Sequence, residues 1–494
     1  MKKLLNDSGK LKALLFASFL CFMLPCLSAY AVEENYTGIT QQETLIVDVV
    51  KINPTTVDIL FSNHQRMTLD FYGENIFRVF QDNSGGMLRV PEAKPEAKIL
   101  VDQPRRGVSQ LNIKNNGDFF SITSGKIKVE FDKSTALMKV INLKTGVTVL
   151  EEAEPVLFDK ERVTLKLKEN LQEYFYGGGV QNGRFSHKGK TISIENQNSW
   201  TDGGVASPNP YYWSTNGYGL MWYTFKRGVY DFGREEKGIV KLFHQTNYLD
   251  IFIMVNDGAI SLLNDYYQLT GNPVLMPKFG FYQGHLNAYN RDYWKEDENG
   301  ILFEDGKRYK ESQKDNSGIK ESLNGEKDNY QFSARAVIDR YKNHDMPLGW
   351  LLPNDGYGAG YGQTETLDGN IQNLKNLTDY ARKNGVEIGL WTQSDLHPKE
   401  GISADIVKEV RDAGVRVLKT DVAWVGAGYS FGLNGITDVA QIMTYYGNDA
   451  RPFIISLDGW AGTQRYAGIW SGDQTGGVWE YIRFHIPTYI GSGL

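Results

Sequence analysis

A change of hydrophobic rhythm near Met276 constrains this chain more than any other feature. Before it, from Thr44 to about Leu275, apolar and polar residues alternate in short runs such as Leu45-Ile46-Val47-Asp48-Val49-Val50, Thr56-Val57-Asp58-Ile59-Leu60-Phe61, Met67-Thr68-Leu69-Asp70-Phe71 and Ile127-Lys128-Val129-Glu130-Phe131. A period of two belongs to strands with one wet face, and runs this dense predict a mainly antiparallel β-sandwich over residues 32–275. After it, apolar runs at 279–283, 347–352, 386–391, 415–418, 452–456 and 466–470 alternate with helical stretches such as 371–384 and 404–413. Repeated β-then-α units predict an α/β domain over 276–494, most economically a (β/α)8-type barrel.

Only six such strands fit before Leu494, and no terminal helix or tail is read at Ile490-Gly491-Ser492-Gly493-Leu494. The expectation is therefore an incomplete, C-terminally truncated barrel of about six βα units. The polar segment at about 295–329 interrupts it after the first strand as an inserted loop or flap. Residues 1–31 read as a secretory signal: Lys2, Lys3, Lys10 and Lys12 precede an apolar run from Ala13 to Leu24, and Ala29-Tyr30-Ala31 fits a small-x-small cleavage site. The run is too short for a membrane span, so none is expected in the mature chain.

Removing that segment takes away four Lys and one Asp and moves the formal net charge from −6 to −9, which argues against nucleic acid or an anionic membrane surface as partner. Both cysteines, Cys21 and Cys26, lie within it, leaving no disulfide, thiolate metal site or cysteine nucleophile in residues 32–494. Export to the periplasm, cell surface or exterior is expected. Pro25 directly before Cys26 counts against a lipoprotein.

The strand ends carry the chemistry. In a parallel barrel, functional side chains leave from the C-terminal ends of the strands. Here those ends deliver Asn354 and Asp355, then Asp395, Asp421, Asp458 and Asp473, beside Trp350, Trp391, Trp424, Trp460 and Trp470. Aromatic faces next to hydroxyl-accepting carboxylates suit a sugar, whose apolar C–H face stacks while its rim is hydrogen-bonded. The implied partner is a carbohydrate. For any one Trp, core packing is the commoner role, and an Asp at a strand end also serves to cap the next helix.

Lys419-Thr420-Asp421, and Arg465-Tyr466-Ala467-Gly468-Ile469-Trp470-Ser471-Gly472-Asp473 some fifty residues later, resemble the two catalytic motifs of glycoside hydrolase family 31. Tyr174-Phe175-Tyr176-Gly177-Gly178-Gly179 and Ser214-Thr215-Asn216-Gly217-Tyr218-Gly219 are similar to its N-terminal sandwich signatures, and Tyr267-Gln268-Leu269-Thr270-Gly271 with Pro277 to its entry into the barrel. The resemblance implies a retaining, exo-acting α-glycosidase with Asp421 as nucleophile and Asp473 as general acid/base. It also implies Arg465 as a polar partner on the acid side; a structural ion pair at the barrel rim is the other reading of that residue. Asn354, Asp355, Trp391, Lys419, Trp424, Arg465 and Trp470 form the expected substrate-binding set. Strand alternation puts Lys419 on the face of Asp421, where it would lower the carboxyl's pKa or bind a substrate hydroxyl.

Two departures bear on specificity. Glucosidases of the family place an Asp-x-Asp element after the second strand, where this chain has Trp350-Leu351-Leu352-Pro353-Asn354-Asp355-Gly356-Tyr357-Gly358. After the nucleophile it has Val422-Ala423-Trp424-Val425-Gly426 in place of an acidic residue. These runs resemble the branch that removes α-linked N-acetylgalactosamine, with α-glucosidase or α-galactosidase-like activity as the alternative. Other chemistries fit poorly. Gly183 is one residue too far from Gly189-Lys190-Thr191 for a phosphate loop, and neither a His-Glu-x-x-His nor a Gly-x-Ser-x-Gly element occurs. No metal and no cofactor are expected. A sugar-binding protein without turnover is the remaining alternative.

Overall fold

The computed structural model describes residues 45–286, 293–312, 318–325, 330–353, 367–392, 405–420, 428–472, 474 and 478–492. The expected leader at 1–31 lies outside them. Two antiparallel sheets come first. One runs in the order Ile46–Asn53, Thr56–Phe61, Arg66–Gly73, Ile76–Asp82, Tyr248–Val255, Tyr218–Trp222, Val205–Ser214 and Phe175–Gln181. The other runs Thr191–Ile194, Gly228–Phe232, Ile239–His244, Val163–Lys168, Thr148–Phe158, Met138–Asn142, Ile127–Asp132, Phe119–Thr123 and Asn112–Asn116.

The two sheets share one core, to which Leu69, Phe77 and Ile253 contribute from the first sheet and Val129, Phe131, Leu165 and Leu242 from the second. In the strand Ile127–Asp132 every other residue is fully buried, as its alternating sequence requires. The strand Tyr248–Val255 is buried throughout, and helix α1 (Ala259–Thr270) packs against it with Leu262, Tyr266 and Leu269 turned inward. At Gly177, where φ is 111°, a Cβ would come within 2.7 Å of the Tyr211 carbonyl oxygen, so this glycine lets two strands approach closely.

The parallel sheet follows, in sequence order: β1 (Gln283–Leu286), β2 (Leu348–Leu352), β3 (Glu387–Trp391), β4 (Val417–Thr420), β5 (Ile454–Ser456) and β6 (Gly468–Ile469). Each strand pairs in parallel with the next. Helices α2 (Ala334–Asn343), α3 (Leu367–Lys383), α4 (Ile406–Arg411) and α5 (Tyr429–Tyr446) lie between them, giving a curled half-barrel whose core includes Ile338, Leu351, Leu377, Ile388, Leu418, Ile436 and Ile454.

The structure departs from the sequence reading in four places. Residues 279–281 form a 3-10 turn entered through Pro277, and the strand starts only at Gln283. β4 is displaced two residues toward the C-terminus of the expected run, because Gly414 takes φ 81° and the Val415 N–H still bonds back to the Glu409 carbonyl at the end of α4. The inserted segment contains a three-stranded antiparallel sheet of Tyr293–Leu302, Arg308–Ser312 and Ile319–Lys320, and is not merely a loop. A terminal helix, α6 (Trp479–Ser492), does form despite Pro487; the Gly183 N–H donates to Thr488 Oγ1 at 2.8 Å.

The half-barrel and the antiparallel sheets belong to one compact unit spanning residues 44–494. Tyr429, Trp460 and Ala461 of the parallel part are members of the sandwich core. Trp460 stacks on Tyr429 at 4.0 Å and donates its Nε1–H to the Thr224 carbonyl at 3.0 Å, while Tyr429 Oη accepts from the Asn196 N–H at 2.7 Å.

One buried acid makes the sandwich sensitive to pH. Glu152 is enclosed in the sheet, where desolvation raises its carboxyl from 4.5 to about 8, opposed only by the Met138 N–H it accepts at 2.8 Å. The folded chain thus keeps a proton that the unfolded chain releases above its ordinary pKa. The associated stability is fully present below about pH 4.5 and is lost as pH rises toward 8, at up to about 1.4 kcal/mol per unit. Glu152→Gln, a neutral isostere, is expected to flatten this slope in urea unfolding, so that between pH 4 and pH 8 it gains on wild type by up to about 4–5 kcal/mol. Parallel slopes for the two proteins would refute the assignment.

Candidate functional site

The site is built where β4, β5 and β6 end. Ser456 closes β5 in the middle of the three. Its Oγ accepts from Thr420 Oγ1 at 2.7 Å, and its carbonyl accepts from the Trp470 N–H at 2.9 Å. Thr420 is the last residue of β4, and Trp470 directly follows β6. Both hydroxyls are fully buried, so each must find a partner, and they find each other. The Ser456 Oγ also accepts from the Asp458 N–H at 3.0 Å. Asp458 itself is buried at the start of the following loop.

Lys419 and Trp470 meet inside this frame. Lys419 is only 1% exposed, and its Nζ lies 4.2 Å from the centre of the Trp470 ring. A desolvated ammonium over an indole face is worth about 2 kcal/mol. Trp391, half-buried, ends β3 directly beside Lys419 in the parallel register, and the Thr392 N–H donates to the Lys419 carbonyl at 2.9 Å. The structure thus brings together Trp391, Lys419 and Trp470 of the expected set. Asn354, Asp355, Asp421, Trp424 and Asp473 lie outside the described residues.

Arg465 precedes β6, whereas Trp470 follows it. Its Nε–H donates to the Gly462 carbonyl at 3.2 Å, its guanidinium sits 5.2 Å from the Tyr466 ring, and its stem lies so close to Gly271 that a Cβ there would meet it at 2.4 Å. Trp350 and Trp460 have core positions: Trp350 packs edge-on to Phe453 over Gly284, and Trp460 joins the sandwich core.

The sandwich supplies residues that the sequence did not single out. Ser207 Oγ donates to the Leu457 carbonyl at 2.7 Å and accepts from the Gly459 N–H at 3.3 Å, gripping the loop after β5. Trp200 packs with Trp470 against Val180, Ala206 and Leu457. It touches both neighbours of position 473: its carbonyl accepts from Gln474 Nε2 at 3.3 Å, and its ring covers Gly472. Ser456 carried a faint signal, a small polar residue ending an apolar run. Ser207 and Trp200 carried none, since their contacts span more than 240 residues of chain.

Gly472 tests how tightly that loop is held. Its φ is 109°, and a Cβ would fall 2.0 Å from the Trp200 ring. Gly146 has a positive φ of 71° but open space around it. Gly146→Ala is expected to cost about 1 kcal/mol of backbone strain, and Gly472→Ala that much plus about 1–3 kcal/mol of overpacking, read as the difference in their denaturation midpoints. Equal losses would mean that Trp200 yields freely.

Residues 66–231 match the family model described as the glycosyl hydrolase 31 N-terminal galactose mutarotase-like domain, and residues 429–494 match the glycosyl hydrolases family 31 TIM-barrel domain. An alpha-xylosidase of Saccharolobus solfataricus is 20% identical over 454 residues, covering 77% of this chain and 55% of that protein. Alpha-xylosidase XylQ of Lactiplantibacillus pentosus is 25% identical over 226 residues, 44% of this chain and 28% of that one. The chain therefore spans about half the length, or less, of these curated relatives. Among solved structures, a family 31 dextranase from Flavobacterium johnsoniae is similar with a TM-score of 0.71 at 14% identity, over 92% of this chain and 60% of that one. A family 31 alpha-xylosidase from a soil metagenome, complexed with xylose, gives 0.63 at 15%, over 90% and 70%. At such identities the structural likeness speaks to fold. With a match in the antiparallel part and another in the parallel part, these findings support the chain's place in glycosyl hydrolase family 31.

Proposed function

We propose that this protein is a retaining, exo-acting α-glycoside hydrolase that releases a gluco-configured sugar, glucose or xylose, with Asp421 as nucleophile and Asp473 as general acid/base. The observation that carries the reading is the Ser456 junction. One buried residue fixes Thr420 and Trp470, which precede Asp421 by one position and Asp473 by three. Retention needs two carboxyls about 5–5.5 Å apart, one ionised and one protonated. Lys419, a cation two residues before Asp421, favours the ionised form there; a loop partly covered by Trp200 and Trp470 favours a raised pKa for Asp473. Trp391 and Trp470 offer aromatic faces for the sugar.

The α-N-acetylgalactosamine reading loses its lead. It rested on residues 351–358 and 419–426, and the relatives bear the names alpha-xylosidase, glucan 1,3-alpha-glucosidase and dextranase. The α-glucosidase alternative fits these names better. Xylose enters with it because it matches glucose in ring hydroxyls and lacks only the hydroxymethyl group. Export remains part of the proposal, on the leader-like composition of residues 1–31.

On a panel of 4-nitrophenyl α-glycosides, kcat/KM for the glucoside or xyloside is expected to exceed that for the N-acetylgalactosaminide by at least about tenfold, roughly 1.4 kcal/mol of transition-state discrimination. The opposite order would restore the N-acetylgalactosamine reading, and no turnover of any glycoside would leave a sugar-binding protein.

Replacing each acid separates the two roles. Asp421→Ala is expected to abolish turnover, with azide restoring it as an inverted glycosyl azide. Asp473→Ala should spare substrates with good leaving groups and lose poor ones, which need protonation. Undiminished turnover by Asp421→Ala would remove that residue from the mechanism.

A further inference from the structure

A cavity of about 420 Å³ lies between the inserted sheet, β1, α2 and the end of β2, apart from the Ser456 junction. His285 and Pro353 line it from the C-terminal ends of β1 and β2, the edge of the sheet from which Asp421 follows β4. Pro353 directly precedes Asn354, so the cavity adjoins the segment expected to contact the released sugar.

One wall is aromatic. Phe332 stacks on Trp294 at 5.2 Å and meets Phe303 at 4.9 Å and Tyr309 at 5.0 Å, which fastens the inserted sheet to the entry of α2. Glu304, Glu311 and Glu321 supply carboxylates on the same lining, and Trp294 Nε1–H donates to Glu321 at 3.2 Å.

The polar groups select among ligands. Three carboxylates disfavour a phosphate or a sugar acid. A cationic ligand would seek the aromatic faces, but the Arg340 guanidinium already lies 5.3 Å from the centre of the Phe303 ring and pairs with Glu304 at 3.4 Å. Desolvation, and then Arg340, lower the His285 pKa, so that imidazole is neutral at pH 7. Among the described residues no group of three His, Cys, Asp or Glu is arranged to hold a metal ion. A neutral ligand with an apolar face and many hydroxyls satisfies this lining: carboxylates accept from hydroxyls, the guanidinium donates, and C–H groups lie against Ile301, Leu302 and Val337.

We propose that the inserted sheet builds a second carbohydrate site, taking a pyranose unit of an extended α-glycan on the leaving-group side of the bond to be cut. The proposal rests on the α-glycosidase reading for its place in the substrate, and on the cavity alone for binding. Aryl glycosides, with no further sugar, would leave the site empty, while oligosaccharides would fill it.

The test uses the full chain with Asp421→Ala, so that ligand is not consumed, titrated calorimetrically with isomaltotriose. Ile301 is 64% exposed at the cavity lip, so Ile301→Trp adds bulk there without entering the core; Glu311→Gln removes a hydroxyl acceptor. Each is expected to weaken isomaltotriose binding about tenfold, with circular dichroism unchanged. In the active chain, each should lower kcat/KM for isomaltotriose at least about fivefold more than for 4-nitrophenyl α-glucoside. Unchanged affinity in both variants, no binding by the parent, or equal losses on both substrates would overturn the inference. If aryl glycosides are not cleaved by the active chain, the glycosidase reading fails, while the binding comparison still decides whether the cavity takes sugar.

Discussion

The hydroxyl and carbonyl of Ser456 are the constraint on which the arrangement of the site depends. Ser456 ends the middle strand of three, and through it the ends of both neighbours are fixed to within a hydrogen bond. Such a bond adds only about 1 kcal/mol net, yet breaking one partner strands a buried polar group at about 1–3 kcal/mol. That asymmetry makes the junction specific. A shift of β4 against β5 by one residue would leave Thr420 Oγ1 buried without its acceptor and would turn Lys419 away from the Trp470 ring. The register of the parallel strands and the position of the site are thus set by the same atoms.

The antiparallel part of the chain acts as the second wall of this site. Ser207 holds the loop after β5, Trp200 covers the segment that leads to Asp473, and the Trp460–Tyr429 stack seats the half-barrel on the sandwich core. These contacts come from three separate stretches of the first 230 residues, so the rim is assembled only when both sheets are in place. This accounts for a core that runs without interruption from Leu69 to Trp460.

Much of the fold was legible because hydrophobic period reports burial directly. The switch from alternating runs to continuous apolar runs near Met276 separates strands with one wet face from strands covered on both, and the six parallel strands all lie within a few residues of their expected positions. The errors were local. Pro277 redirects the chain into a turn before β1, and the left-handed Gly414 delays β4 until the residues of α4 have finished bonding. The inserted sheet was missed because its strands are held by an aromatic cluster of Trp294, Phe303, Tyr309 and Phe332, whose spacing has no regular period. In the site, Lys419, Trp391 and Trp470 could be read from strand ends. Trp200 and Ser207 could not, because nothing local distinguishes a tryptophan in a sandwich loop that reaches the barrel from one that stays in its own domain.

The burial of Lys419 bears on the two-carboxylate mechanism proposed above. Taking an ammonium out of water costs several kcal/mol, and an indole face returns only part of that. A carboxylate within reach recovers much of the remainder, because opposite charges attract most strongly where water is excluded. In the mechanism proposed above, a buried lysine two residues before Asp421 favours an anion at that position, while its ammonium lies against the Trp470 ring. The double displacement proposed for this chain needs one ionised and one protonated carboxyl, so an environment that favours the anion at one position only is what it requires.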